Sequence, residues 1–257
     1  MKILLTTVLM AGLATAGHTE TLSGLCMVSA SHDGDSAQVM FRSSDCDDDG
    51  HNCSMSNHSD IAWSRWTGVS SETLKQDGAQ LNGVMGGEAG ELRCSGTVHD
   101  GVLSGRYNFT PNPAFVQKMT AMGFDDITPR KQEGFLMLDV TTVWIQQMKD
   151  AGVTELTTNK LMGLKALHVD QSYIRGMSQA GYPELRAGKL TEMKAVGVTP
   201  EKAREAKALG FQPTEQELIQ MSIFKVDRPF VERMRSKGLT DLTLAKLIKV
   251  KIFKLDD

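Results

Sequence analysis

An acidic segment near the N-terminus has the residue types and spacing of a cation-binding loop. It runs from Asp45 to Gly50 and reads DCDDDG, which matches the D-x-D-x-D-G opening of a calcium loop. In such loops, oxygen atoms at alternate positions and a glycine turn wrap a hard cation. The twelfth position, which normally holds a bidentate glutamate, is Ser56. The candidate calcium ligands are therefore Asp45, Asp47 and Asp49, and the alternative is a solvated acidic loop closed by a disulfide.

The cysteines favour disulfide bonds over metal binding. All four cysteines lie between residues 26 and 94, and an even number of cysteines in a loop-rich region is typical of disulfides if the protein is exported. Of the three pairings that four cysteines allow, we favour Cys46 with Cys53 across a short loop and Cys26 with Cys94 between distant strands. The first bridge would remove the thiolates from a second metal candidate, a zinc or copper cluster that also includes His51 and His58.

Patterns for catalysis are weaker. Residues Ser222 to Lys225 match S-x-x-K, but the companion motifs S-D-N and K-T-G are missing. The chain also lacks H-E-x-x-H, G-x-S-x-G, a Walker phosphate loop and a dinucleotide fingerprint. We therefore expect a protein that is not an enzyme and that uses no cofactor.

The first residues are typical of a secretory signal peptide. Lys2 is followed by an apolar run from Ile3 to Leu13 and then by Ala14 to Ala16, which form an A-x-A cleavage site. The apolar run is too short for a stable membrane span. We expect residues 1–16 to be removed and the mature protein to be periplasmic or secreted, with no membrane span.

Residues 17–110 predict a small β-rich domain. Short apolar runs alternate with turn residues, and Asp100-Gly101 fits a type I′ hairpin turn. One short helix is predicted from Trp63 to Leu74. The domain ends near Pro111, after which Asn112 is the predicted N-cap of the first helix.

A unit of about 29 residues recurs from residue 111 to residue 257. Each unit contains two apolar stripes at helical spacing, begins at a short polar N-cap residue, and has a closing glycine after its first stripe. A fixed period of this size predicts an all-α solenoid of about five αα repeats, in which each unit buries its apolar face only against its neighbours. The closing glycines are 29, 29, 29 and 28 residues apart, at Gly123, Gly152, Gly181, Gly210 and Gly238.

An aromatic residue occupies one position in four of the units and is the predicted core of the array. The fourth unit departs from this pattern, because Lys202 replaces the aromatic residue and Ala206 replaces the methionine that follows it. We attribute the departure to sequence drift within the repeat. The alternative is that this unit forms a thinner part of the array or a local contact site. The aromatic residues are Phe115, Trp144, Tyr173 and Phe230.

The junction between the two regions resembles a known arrangement. Residues 90–124, which read GELRCSGTVHDGVLSGRYNFTPNPAFVQKMTAMGF, resemble the exported C-terminal region of some bacterial membrane metallopeptidases of the beta-lactam-sensor type, as do YIRGMSQAGY and MKAVGVTPEKAREAKALGF further on. The resemblance implies a small β domain followed by helical units. Those relatives carry a membrane peptidase portion that this sequence lacks, so the resemblance implies no zinc protease chemistry.

Charge separates the two regions and bears on the partner. Residues 1–110 hold 6 lysines and arginines against 13 aspartates and glutamates, a net charge of −7, whereas residues 111–257 hold 22 against 18, a net charge of +4. This small excess disfavours nucleic acid as a partner. We expect an exported, non-catalytic binding or scaffold protein that uses a helical-repeat surface to bind a protein or peptide in the cell envelope. The alternative is a calcium-responsive module that acts through the acidic loop.

Calcium titration separates these two hypotheses. Millimolar calcium should leave the melting temperature unchanged, because Ser56 cannot supply the bidentate carboxylate of the twelfth position. Thermal melts with magnesium as the control for ionic strength measure the effect. A rise in melting temperature that is specific to calcium and disappears in Asp47→Asn would contradict this prediction and support the calcium-responsive module.

Overall fold

In the computed structural model, which describes residues 20–44, 55–239 and 241–255, an antiparallel sheet is followed by a series of short helices. The described strands are β1 (Leu22–Ala30), β2 (Ser36–Ser43), β3 (Met55–Ala62), β4 (Trp66–Thr67), β5 (Gln80–Gly87), β6 (Gly90–His99) and β7 (Val102–Pro111). The described helices are α1 (Pro113–Ala121), α2 (Pro129–Met137), α3 (Thr142–Asp150), α4 (Thr158–Ala166), α5 (Gln171–Gln179), α6 (Ala187–Ala195), α7 (Pro200–Ala208), α8 (Glu215–Ile223), α9 (Arg228–Ser236) and α10 (Leu244–Ile252).

The sheet has the strand order β3-β2-β1-β7-β6-β5-β4 and curls into a half-barrel. The last strand in the chain, β7, therefore lies between β1 and β6. Buried and exposed residues alternate along these three strands. This alternation directs one face of the sheet into the core, as is common in antiparallel sheets.

A disulfide joins β1 to β6 across β7 and depends on the curl. The Cα atoms of Cys26 and Cys94 are 6.1 Å apart, whereas strands two places apart in a flat sheet are separated by about 9.5 Å. Next to the disulfide, β6 and β7 also approach closely: Gly105 faces Gly96 across the ladder, and a Cβ atom at Gly105 would lie 1.9 Å from the carbonyl oxygen of Ser95. The predicted pairing of Cys26 with Cys94 is confirmed.

The other predictions for the β region have mixed outcomes. The turn at Asp100-Gly101 has φ angles of 50° and 78°, as a type I′ turn requires. The helix predicted from Trp63 to Leu74 is wrong, since Trp66 pairs with Met85 to add a short edge strand, flanked by single turns of 3₁₀ helix. The second predicted disulfide, Cys46 with Cys53, lies outside the described residues.

The predicted beginnings and ends of the helices are confirmed. The side chains of the predicted N-cap residues accept hydrogen bonds from backbone N–H groups of the first turn. The five closing glycines have positive φ angles between 82° and 92°, the left-handed conformation that glycine adopts without strain. The N-cap residues are Asn112, Thr141, Asp170, Thr199 and Asp227.

The predicted all-α solenoid of five repeats is wrong, and no solenoid of repeats is evident in the described residues. The first helices bury their apolar faces against the sheet and not only against neighbouring helices. One cluster of buried side chains continues from Tyr107 of β7 through Phe115 of α1 and Phe135 of α2 to Leu161 of α4. A second cluster covers the helices from α3 to α10. The period of the sequence depends on the lengths of the helices and loops, and it does not identify the surface against which each helix packs.

Polar contacts also hold the helices on the sheet. The Glu88 carboxylate, between β5 and β6, accepts hydrogen bonds from the backbone N–H and the hydroxyl of Thr142 at the start of α3. At the end of α2, Arg65 donates to the carbonyl oxygen of Met137 at 2.9 Å. Gln132 donates to the carbonyl oxygen of Ala89 at 3.0 Å. Among the described helices, none is long and apolar enough to cross a membrane.

The shared core predicts a large effect of truncation in α2. Phe135 is fully buried, and its ring packs 5.9 Å from the ring of Phe115, so Phe135→Ala should lower the free energy of unfolding by about 3–5 kcal/mol. Phe253 is 66% exposed, and Phe253→Ala should cost less than about 0.5 kcal/mol. Denaturant melts of the full chain measure both changes. Equal costs would show that the sheet and the first helices do not share a core.

Candidate functional site

The predicted calcium ligands are not part of the described structure. Asp45, Asp47 and Asp49 lie outside the described residues, as does His51 of the second metal candidate. Among the described residues, no group of three or more histidines, cysteines, aspartates or glutamates is placed to hold a metal ion. His58 lies on β3, where burial lowers its pKa.

The predicted core aromatic residues occupy the third position of α1, α3, α5 and α9. Phe115, Tyr173 and Phe230 are buried, and Trp144 is partly buried against both hydrophobic clusters. Phe115 belongs to the cluster shared with the sheet, whereas Tyr173 and Phe230 belong to the cluster of the later helices. These four positions are therefore packing positions, but they are divided between two cores.

A lysine covers three of these aromatic rings. Each lysine is the eighth residue of the helix that follows the ring, and each places its ammonium group over the ring face, where a cation is attracted by the π electrons. The distances from Nζ to the ring centroid are 5.1 Å for Lys165 over Trp144, 4.5 Å for Lys194 over Tyr173 and 4.3 Å for Lys251 over Phe230.

The pair formed by α7 and α8 lacks both partners of this contact. The third residue of α7 is Lys202 in place of an aromatic residue, and the eighth residue of α8 is Ser222 in place of a lysine. The seventh residue of α7 is Ala206, where α1, α3, α5 and α9 have methionine. These three differences coincide with a cavity of about 170 Å³. Its lining comprises Val198, Lys202, Glu205, Ala206, Leu209, Leu218, Met221, Ser222, Lys225, Val226, Asp227 and Arg228.

The cavity has an apolar interior and a charged rim. Lys202 lines the cavity, and its Nζ donates to the carbonyl oxygen of Gly197 at 2.7 Å. Glu205 and Arg228 form an ion pair at 3.0 Å. Within the described ranges, Lys225 has no carboxylate partner. The site therefore resembles small-molecule and side-chain pockets, in which apolar walls bury the ligand and a few polar groups at the edge orient it.

The S-x-x-K residues contribute to this cavity but do not form a catalytic pair. The Ser222 hydroxyl donates to the carbonyl oxygen of Val196 at 2.5 Å, so its proton is already engaged. In the described part of the chain, the backbone N–H of Lys225 donates to the carbonyl oxygen of Ser222 at 3.4 Å, but no hydrogen bond joins the two side chains. A serine nucleophile requires a base within hydrogen-bond reach, and this arrangement does not provide one.

A larger cleft lies between β3 and the ends of α2 and α4. Its two partly buried cationic side chains, Arg65 and Lys165, already contact other groups of the protein. It has a volume of about 610 Å³ and is lined by residues that include His58, Arg65, Asp139 and Lys165. Arg65 binds the carbonyl end of α2, and Lys165 lies over the ring of Trp144. Burial lowers the pKa of both side chains. We interpret this cleft as the seam between the sheet and the helices.

No protein family, curated protein or solved structure matches this chain. The resemblance of residues 90–124 to the exported region of beta-lactam-sensor metallopeptidases therefore stays a prediction, and the function is inferred from the cavity itself. The sequence pattern identified Lys202 and Ala206 as departures from the repeat, whereas Ser222 was noted only for its S-x-x-K match. Comparing the eighth positions of the even-numbered helices would have shown that Ser222 replaces the lysine of α4, α6 and α10.

Filling the cavity should stabilise the protein. Ala206→Met places in α7 the residue that other helices carry at the seventh position, and it should raise the free energy of unfolding by about 0.5–2 kcal/mol. Ala203 is also buried in α7 but does not line the cavity. The matched control, Ala203→Met, should therefore overpack the core and lower stability by about 1–3 kcal/mol. Denaturant melts compare them, and two equally destabilised variants would show that the cavity cannot accept a side chain.

Proposed function

We propose that this protein is an exported, non-catalytic binding protein that receives an aromatic side chain of a protein or peptide partner in the cavity between α7, α8 and the start of α9. The observation that carries the proposal is the comparison within the chain. Three other helix pairs fill this position with their own ring and cover it with a lysine. The fourth pair has neither group, and its cavity is lined by six apolar residues and six polar or charged residues.

The size of the cavity supports an aromatic ligand. The volume is about 170 Å³, and an apolar cavity of roughly 150 Å³ in another protein holds benzene. Burial of a phenylalanine-sized side chain contributes about 1.5–3 kcal/mol, whereas a dissociation constant of about 1 μM requires about 8 kcal/mol. The ring would therefore anchor the partner, and contacts around the rim would supply the remaining affinity.

The disulfide supports the compartment. Bonds such as that between Cys26 and Cys94 persist in oxidising environments, which include the periplasm and the extracellular space. Together with the predicted signal peptide at residues 1–16, the disulfide favours a partner in the cell envelope. The alternative function, a calcium-responsive module at Asp45 to Gly50, is decided by the calcium melts described above.

Selection of peptides tests the proposed function. Peptides selected from a displayed random library on the full chain should contain an aromatic residue, and their affinity should fall at least about tenfold for Ala206→Met, because the methionine occupies the space of the ring. Ile223→Ala is the control, since Ile223 is an exposed residue of α8 that does not line the cavity. Its affinity for the same peptides should be unchanged.

Two results would contradict the proposed function. Selected peptides without an aromatic residue would show that the ring is not the anchor. Peptides that bind the Ala206→Met variant as tightly as the original chain would place the binding surface elsewhere. Isothermal titration calorimetry measures both, and thermal melts of the variants confirm that they are folded.

A further inference from the structure

The best guide to the ligand is the residue that fills the equivalent space one helix pair earlier. Tyr173, the third residue of α5, packs beneath Lys194. Its hydroxyl donates to the carbonyl oxygen of Val198 at 3.0 Å in a buried hydrogen bond. Val198 is the residue directly before Thr199, the N-cap of α7. The tyrosine side chain thus reaches from α5 to the connection that precedes α7.

The same connection forms one wall of the cavity. Val226 lies directly before Asp227, the N-cap of α9, so it occupies the position that Val198 has before α7. Val226 lines the cavity, as do Lys202 and Ser222, which replace the ring and its covering lysine. A tyrosine that entered this space in the manner of Tyr173 would bring its hydroxyl to the carbonyl oxygen of Val226. A phenylalanine would fill the same volume without that hydrogen bond.

The rim of the cavity favours a partner with negative charge beside the ring. Arg228 is balanced by Glu205 at 3.0 Å and by Glu232 at 3.6 Å. Asp227, the other carboxylate of the lining, accepts a hydrogen bond from the backbone N–H of Phe230. Among the described residues, Lys202 and Lys225 have no carboxylate partner. Two ammonium groups at the edge of an apolar cavity attract a carboxylate, and electrostatic complementarity of this kind selects partners and orients them.

The charge of the rim also disfavours the end of this chain as the occupant. Phe253 is 66% exposed and Leu255 is 69% exposed, so a second copy could offer an aromatic ring. However, this ring lies between Lys251 and Lys254, and the acidic residues Asp256 and Asp257 come only after Leu255. The residues nearest the ring would therefore place further cations against Lys202 and Lys225. Like charges placed together at an interface oppose association.

We infer that the occupant of the cavity is a tyrosine side chain flanked by acidic residues in a segment of another protein, with its hydroxyl donating to the carbonyl oxygen of Val226 and the flanking carboxylates facing Lys202 and Lys225. This inference rests on the proposed function and adds the identity and surroundings of the ring. It explains why the interior of the cavity is apolar while two cations at its edge lack carboxylate partners within the described ranges.

Short blocked peptides test this inference with the full chain. They carry tyrosine, phenylalanine, O-methyltyrosine or alanine between two aspartates, and a further peptide carries tyrosine between two asparagines. One neutral hydrogen bond is worth about 0.5–1.5 kcal/mol, so the tyrosine peptide should bind about 2–10-fold more tightly than the phenylalanine peptide. O-methyltyrosine, which cannot donate, should bind no more tightly than phenylalanine. Nuclear magnetic resonance titrations are sensitive enough for weak binding.

Paired lysine variants test the acidic flanks. Lys225→Ala should weaken binding of the aspartate-flanked tyrosine peptide by about two- to fivefold, as expected for a solvent-accessible ion pair. It should leave the asparagine-flanked peptide unchanged. Lys118→Ala, which removes a lysine from distant α1, is the control for net charge and should change neither affinity.

The outcomes separate this inference from the proposed function. Equal affinity for tyrosine and phenylalanine would overturn the tyrosine assignment while leaving an aromatic-binding cavity. Equal affinity for the aspartate- and asparagine-flanked peptides would overturn the acidic partner. If the alanine peptide binds as well as the aromatic peptides, or if none of them binds, the proposed function fails as well. Tighter binding of a peptide that copies residues 249–255 would replace the acidic partner with a second copy of this chain.

Discussion

The close approach of β1 and β6 across β7 is the constraint on which the sheet depends. Cys26 and Cys94 can join only if the sheet curls, because a flat sheet would hold their strands too far apart. Gly96 and Gly105 face each other across β6 and β7, and their lack of side chains lets these two backbones approach closely. The covalent bond and the glycines therefore favour the same curled shape, and the bond further stabilises it by restricting the unfolded chain.

The sheet in turn determines what the first helices cover. Their apolar faces complete the core of the sheet, and the Phe115–Phe135 contact lies in that shared cluster. Hydrogen bonds from Thr142 to Glu88 and from Arg65 to the end of α2 connect the two layers at their polar margins. Later helices pack in a second cluster, so the chain changes from sheet-on-helix packing to helix-on-helix packing near α3 and α4.

The candidate site arises from what the helix-on-helix region leaves unfilled. Tyr173 and Lys194 close the space between their helices, whereas Lys202 and Ser222 leave the equivalent space open. Lost packing and empty volume destabilise a core, so the cavity costs the isolated protein stability that a bound ring would restore. The methionine of Ala206→Met and the ring of a partner would occupy the same space. The substitution that raises stability is therefore also expected to weaken binding.

The sequence by itself determined the local structure: the type I′ turn at Asp100-Gly101, and the helix caps and closing glycines. These features depend on the conformational preferences and hydrogen bonds of a few neighbouring residues. The pairing of Cys26 with Cys94 was one of three that the four cysteines allow, and the tertiary structure decided it by bringing β1 and β6 together across β7. Only the tertiary structure decided that a sheet covers the first helices, because periodicity identifies an apolar face without its partner. The cavity needed the tertiary structure for the same reason, since Lys202, Ala206 and Ser222 are small or flexible residues whose effect depends on what lies between them.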